Sequence, residues 1–207
     1  YWRKTGLKKN WGELFLNIVH EHKPKSFLEV GVFCGVTAKN VCELLKDIHK
    51  SEFKYIGVDL FGEKSSQDEI VPNYLNKQKF SNPLKNLFYN FLLRENLNSY
   101  ESVKKFLKQF SENVTLIQGN SNVILRNLDL KDIDFVFLDG GHSFETVFED
   151  LNLIYKKISS NRGAVILCDD YEDSSYITGV KKAVDKFVEI NKLKLILVQK
   201  RFAKIVI

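Results

Sequence analysis

The chain of 207 residues has no Met, three Pro, eleven Gly and three Cys. So little Gly and Pro excludes collagen-like and low-complexity classes. Cys34, Cys42 and Cys168 are odd in number and never form a CxxC pair. That pattern does not suit a disulfide scaffold or a zinc ribbon, and it points to a cytoplasmic setting. No apolar run approaches the ~18–20 residues of a membrane span. The longest, Ile133–Leu138 and Ala164–Cys168, have the length of strands. The start, Tyr1-Trp2-Arg3-Lys4, lacks a signal-peptide core, and without Met it is compatible with processing or truncation. Neither sign of charge dominates, since 31 Lys+Arg against 26 Asp+Glu gives +5. The basic residues, denser over Arg3–Lys9 and Lys181–Lys204, read as solvated helix faces. No DNA- or RNA-binding motif accompanies them, so neither nucleic acid nor membrane is an expected partner.

What is present is a core. Hydrophobic residues make up 44% of the chain and aromatics 13%, which excludes general disorder. The length suits a single domain over residues 1–207. Amphipathic helices are expected over 10–22, 143–158 and 177–190, and one beginning at Thr37 as its N-cap. Strands are expected at Ser26–Val30, Tyr55–Leu60, Val114–Gln118, Ile133–Leu138 and Ala164–Cys168. Two final runs, Leu193–Val198 and Phe202–Ile207, read as a hairpin around Gln199-Lys200-Arg201. Alternating strands and helices predict an α/β fold, a doubly wound, mostly parallel seven-stranded sheet closed by the antiparallel hairpin. Residues 61–113 read as a helical cap insertion, with Val103, Phe106, Leu107 and Phe110 spaced as one helix face. Ligands of such sheets bind at the carboxyl edge, where the loops after residues 30, 58, 118 and 138 would meet.

Chemistry-bearing residues cluster at those strand ends. Glu29-Val30-Gly31-Val32-Phe33-Cys34-Gly35-Val36-Thr37 is an ExGxxxG turn. It is not the GxGxxG fingerprint, which counts against a nicotinamide oxidoreductase. Asp59 ends the second strand, where a carboxylate can accept from ribose hydroxyls. Asn120 and Ser121 can cap the next helix or meet an adenine edge, and both readings stand. Asp139 at one strand end and Asp169-Asp170 at the next bring three carboxylates together. Their mutual repulsion would be relieved by an oxygen-preferring cation, Mg²⁺ or a similar divalent ion. His142 follows Asp139 closely enough to act as a base on a substrate hydroxyl.

Together these residues resemble a known family. Phe27–Gly35 resembles the first motif of class I S-adenosylmethionine methyltransferases, closest to the metal-dependent O-methyltransferases of the catechol type. Asp134–Glu145 and Gly163–Tyr171 resemble the fourth motif and fifth strand of the macrocin-type sugar O-methyltransferases. The resemblance spans about residues 26–171 and implies a Rossmann-like fold. It implies that Glu29 holds the methionine amino group, directly or through water. Gly31 and Gly35 would lie under the methionine, with Thr37 near its carboxylate. Asp59 would take the ribose, Leu60 would pack on adenine, and Ser121 with Asn120 would line the adenine pocket. Asp139, counted also among the cofactor-binding residues, would hold Mg²⁺ with Asp169 and Asp170, leaving His142 as base. Gly141 departs from the family, which often has an acid at that position. The expected activity is Mg²⁺-dependent methylation of a hydroxyl on a sugar or other small molecule. A metal-independent methyltransferase or a non-catalytic S-adenosylmethionine-binding protein are the alternatives. The resemblance allows a homodimer, though no surface pattern shows one.

Overall fold

Strands buried on both faces must be apolar throughout, whereas the helices beside them need only one apolar stripe. The computed structural model describes residues 3–62, 82–88, 96–172 and 179–207. It follows this rule along the chain. Helix α1 is Lys9–His22, β1 Ser26–Val30, α2 Val36–His49 and β2 Lys54–Asp59. A short helix α3, Pro83–Leu87, and α4, Tyr100–Phe106, precede β3, Val114–Gln118. Then come α5 Ser121–Asn127, β4 Phe135–Leu138, α6 Phe144–Ile158, β5 Val165–Cys168 and α7 Gly179–Asn191. Strands β6 Leu195–Val198 and β7 Phe202–Val206 close the sheet.

The seven strands lie in the order β3-β2-β1-β4-β5-β7-β6. The first five are parallel, and β7 runs antiparallel to both β5 and β6. Leu28, Val136 and Ile166 face α5, α6 and α7, while Phe27, Phe135 and Phe137 face α1, α2 and α4. Phe15 of α1 stacks its ring 4.4 Å from that of Phe137. Truncating such a buried ring costs about 3–5 kcal/mol. The reversal of strand order between β1 and β4 puts a crevice at the carboxyl edge beside them. Among the described residues, no helix is long and apolar enough to cross a membrane.

Three local expectations are corrected. Thr37 is not an N-cap: Gly35 precedes α2 with φ +76°, and Thr37 sits in the helix's first turn. The face expected through Phe110 breaks at Leu107, and the chain continues as a 3₁₀ turn, Lys108–Phe110. Strand β2 is shifted one residue earlier at unchanged length, and β4–β7 are each trimmed by one or two residues at an end. Much of the expected cap, 63–81 and 89–95, lies outside the described residues, as do positions 177–178 of the expected helix.

Candidate active site

The turn after β1 is built by close approach of backbones. Gly31 has φ +96°, and a Cβ there would lie 2.1 Å from the Asp139 carbonyl oxygen. Only glycine lets the β1 and β4 loops mesh in this way. The Gly31 amide donates to Val58 O and the Gly35 amide to Val32 O, both at 2.9 Å. Asp59 ties this turn to β2. Its Oδ2 accepts from the Phe33 amide at 2.8 Å and its Oδ1 from the Phe61 amide at 2.6 Å. Burial nevertheless raises the Asp59 pKa, against those two bonds. Each oxygen keeps a second lone pair for an incoming hydroxyl. Leu60, half-buried, follows directly, and its carbonyl accepts from Gln118 at 3.4 Å.

Beneath the turn lies Glu29, fully buried. Its Oε2 accepts from the Tyr55 hydroxyl, while its Oε1 has no partner among the described residues. Burial pushes its pKa up to about 8; the Tyr55 bond opposes this and Asp59 adds to it. An orphaned buried carboxylate oxygen is an unmet demand for a donor. A ligand ammonium group would meet it.

The strand-end acids converge one strand away. One oxygen from each of Asp139, Asp169 and Asp170 lies within 4.8 Å of the others. Asp170 has φ +56°, a left-handed conformation that Asp tolerates better than most side chains. His142 Nε2 stands 3.6 Å from Asp170 Oδ2. Close packing fixes the His142 backbone, because a Cβ on Gly179 would lie 2.2 Å from its carbonyl oxygen. Ser143 then caps α6, accepting from the Thr146 amide at 3.2 Å. Burial, with Asp169 and Asp170 adding their charge, holds the Asp139 pKa well above the carboxylate range.

A cation already occupies the side of this cluster. Arg201, in the turn between β6 and β7, forks onto Asp169 with Nε–Oδ1 at 2.6 Å and Nη2–Oδ2 at 2.7 Å. The same Nη2 lies 3.4 Å from Asp170 Oδ1. Burial raises the Asp169 pKa and the Arg201 fork draws it back down. The donor set therefore does not fit Mg²⁺ as it stands. Both oxygens of Asp169 already accept from Arg201, and a divalent ion beside them would sit against a guanidinium, charge against like charge.

The residues expected at the adenine are arranged differently from one another. Asn120 caps α5, its side chain accepting from the Asn122 amide at 2.9 Å. The Ser121 hydroxyl donates to Asp150 Oδ2 at 2.8 Å, and Asn122 Nδ2 donates to Asp150 Oδ1 at 2.6 Å. Asp150, buried on α6, also lines the small cleft holding Asp139, His142, Asp169 and Asp170. Arg3 closes the other side. It donates to the carbonyls of Cys34 at 3.2 Å and Leu97 at 2.9 Å, and to Ser102 O and Oγ at 2.9 and 2.8 Å. The strap it anchors passes close to the acids, since a Cβ on Gly6 would lie 3.9 Å from Asp139 Oδ2. Arg201, Arg3, Tyr55 and Asp150 were not among the residues expected from the sequence.

The fold agrees with what known proteins show. A family described as "Methyltransferase domain" matches residues 28–171. An uncharacterized protein, R132, of Acanthamoeba polyphaga mimivirus is 43% identical over 56 residues. That match covers 27% of this chain and only 24% of the viral protein's length. Among solved structures, the S-adenosylhomocysteine-bound Podospora anserina methyltransferase PaMTH1 superposes with a TM-score of 0.61 at 18% identity, over 96% of this chain and 79% of that one. The O-methyltransferase NovP gives 0.64 at 17% identity, over 95% and 77%. TomG from Streptomyces achromogenes, an O-methyltransferase solved with S-adenosylmethionine, gives 0.58 at 15%, over 97% and 81%. At such identities these structures establish the fold, and the family match establishes the kinship. The chain belongs to the methyltransferase domain family.

Proposed function

We propose that this methyltransferase acts on a hydroxyl group of a small molecule, with a sugar or other polyol as the preferred acceptor. The observation that carries the choice of a hydroxyl is the His142–Asp170 pair at the carboxyl edge, 3.6 Å apart and beside the glycine turn. A hydroxyl is a poor nucleophile until a base removes its proton. His142, half exposed, can take that proton, and Asp170 stabilises the imidazolium that results. When bound, S-adenosylmethionine supplies an electrophilic methyl group on a sulfonium. Glu29 Oε1 would accept from its ammonium group, the Gly31–Gly35 turn would carry the methionine, and the free lone pairs of Asp59 would accept from the ribose. Thr37 in the first turn of α2, Leu60, Asn120 and Ser121 would frame the remainder. Most of the protein's contribution is placement of the two reactants in line. The expected Mg²⁺ has no part in this scheme, because Asp169 is held by Arg201. The same fork favours the metal-independent form of the reaction.

Calorimetric titration with S-adenosylhomocysteine, followed by methyl transfer to a panel of sugars and catechols, tests the proposal. Micromolar binding and an O-methylated product, lost in His142→Ala, are expected. Absence of binding to the wild type, or product methylated only at nitrogen or carbon, would overturn it.

A further inference from the structure

Arg201 reaches the cleft from an unusual place. Strand β7 is antiparallel to β5, so the turn that begins it returns to the carboxyl edge of the parallel strands. Gln199 and Lys200 both take positive φ, 48° and 63°, so neither turn residue is relaxed. The Arg201 amide donates to Val198 O at 3.2 Å, and its carbonyl accepts from the Tyr171 amide at 2.9 Å. Its backbone is thus pinned to the residue after Asp170. The guanidinium lies 5.4 Å from the Trp11 ring centroid and 5.8 Å from that of Phe202, within reach of both π-faces. From there it forks onto Asp169, which is buried. Its charge faces Asp169, Asp170 and Asp139 together.

We infer that Arg201 is the resident cation of this cleft, taking the place of a divalent metal ion at the Asp139–Asp169–Asp170 cluster. A planar guanidinium matches a carboxylate's two oxygens at once and carries a permanent charge. Aromatic packing and a pinned backbone keep it there. An incoming ion that uses an Asp169 oxygen would stand beside the guanidinium, and like-charge repulsion opposes it while the fork is in place. Arg201 is therefore a positioning residue. It orders Asp169 and Asp170, and through Asp170 it orders His142. The inference deepens the proposed function and rests on it only for the use made of the ordered acids.

Manganese binding followed by electron paramagnetic resonance decides the matter, on wild type, Arg201→Gln and Asp169→Asn, with S-adenosylhomocysteine calorimetry on the same proteins. Wild type should hold Mn²⁺ no tighter than about 1 mM, the range of weak oxygen sites. Arg201→Gln should tighten Mn²⁺ at least about tenfold, because the fork no longer competes for Asp169. A merely structural role for Arg201 predicts no such gain. Asp169→Asn, which tests the point if Arg201→Gln does not fold, should leave the weak wild-type binding unchanged. Micromolar Mn²⁺ binding to wild type, or its loss in Asp169→Asn, would overturn the inference. Failure of every protein to bind S-adenosylhomocysteine would instead overturn the proposed function and leave the manganese comparison to decide Arg201.

Discussion

Replacing Glu29 by Gln should flatten the protein's loss of stability at high pH. The Glu29 carboxyl is raised from 4.5 to about 8 by burial. Between those values the folded state holds a proton that the unfolded state has released. Stability therefore falls as pH rises through this window, by at most about 1.4 kcal/mol per pH unit. Between pH 6 and pH 8 the loss from this one group integrates to about 2 kcal/mol. Gln retains an oxygen to accept from Tyr55 and removes the titration. Asp59, Asp139 and Asp169 are also raised and remain in both proteins, so the informative quantity is the difference between the two pH profiles, to which relief of Glu29's charge on Asp139 adds a smaller part. Urea unfolding of wild type and Glu29→Gln at half-unit steps from pH 5.5 to 8.5 would measure it. The profiles should diverge by about 2 kcal/mol across pH 6–8, with the variant relatively stronger at pH 8. Parallel profiles would refute the assignment of Glu29 as a buried neutral carboxyl. A second reading uses the same variant: if Glu29 receives the ligand's ammonium, the variant's affinity for S-adenosylhomocysteine should fall about tenfold or more.

Other expectations are independent of that titration. Gly31→Ala places a methyl 2.1 Å from the Asp139 carbonyl, so thermal melting should show a loss of several degrees or failure to fold, along with loss of S-adenosylhomocysteine binding. His142→Ala should lower kcat about 10²–10⁴-fold and leave S-adenosylhomocysteine affinity intact, since the proposal gives the half-exposed ring to the acceptor and not to the cofactor. Affinity falling in step with kcat would place His142 in cofactor binding instead. Asp134→Ala serves as a control away from the cleft: it removes the acceptor of the Lys25 and Ser26 amides at 3.0 Å and should cost about 1–3 kcal/mol in urea unfolding with kcat unchanged.

Strands β1, β2, β4 and β5 were readable because each is a short, mostly apolar run that ends at Gly or Asp, which suits a strand buried on both faces. The carboxylate cluster was readable for a related reason. Asp139 and Asp169 end strands one β–α–β unit apart, so parallel pairing brings them together without further information. Arg201 was not readable in the same way. It stands in a run of basic residues that reads as solvent-facing, and its importance follows from the direction of β7. The usable signal was that an antiparallel strand beside β5 must begin at the carboxyl edge. Thr37 was misplaced because Thr is a good cap by composition, whereas the left-handed Gly35 caps α2 two residues earlier. The helix through Phe110 failed because i, i+3, i+4 spacing does not record where Leu107 turns out of helical geometry, with ψ at 8°. Arg3 and Ser102 are 99 positions apart, and no periodicity reports such a bond.

The reversed last strand also sets how the protein can be handled. Since β7 begins at the cleft, it ends at the opposite edge, where Ile207 exchanges backbone bonds with Gly163 and Ala164. Four or five strand residues separate the two edges, about 15 Å. Arg3, by contrast, is fastened to the glycine turn itself. A fluorophore, an affinity handle or a surface linker joined after Ile207 thus emerges on the far side from the reacting groups. The same attachment before Arg3 would load the strap that passes beside Asp139.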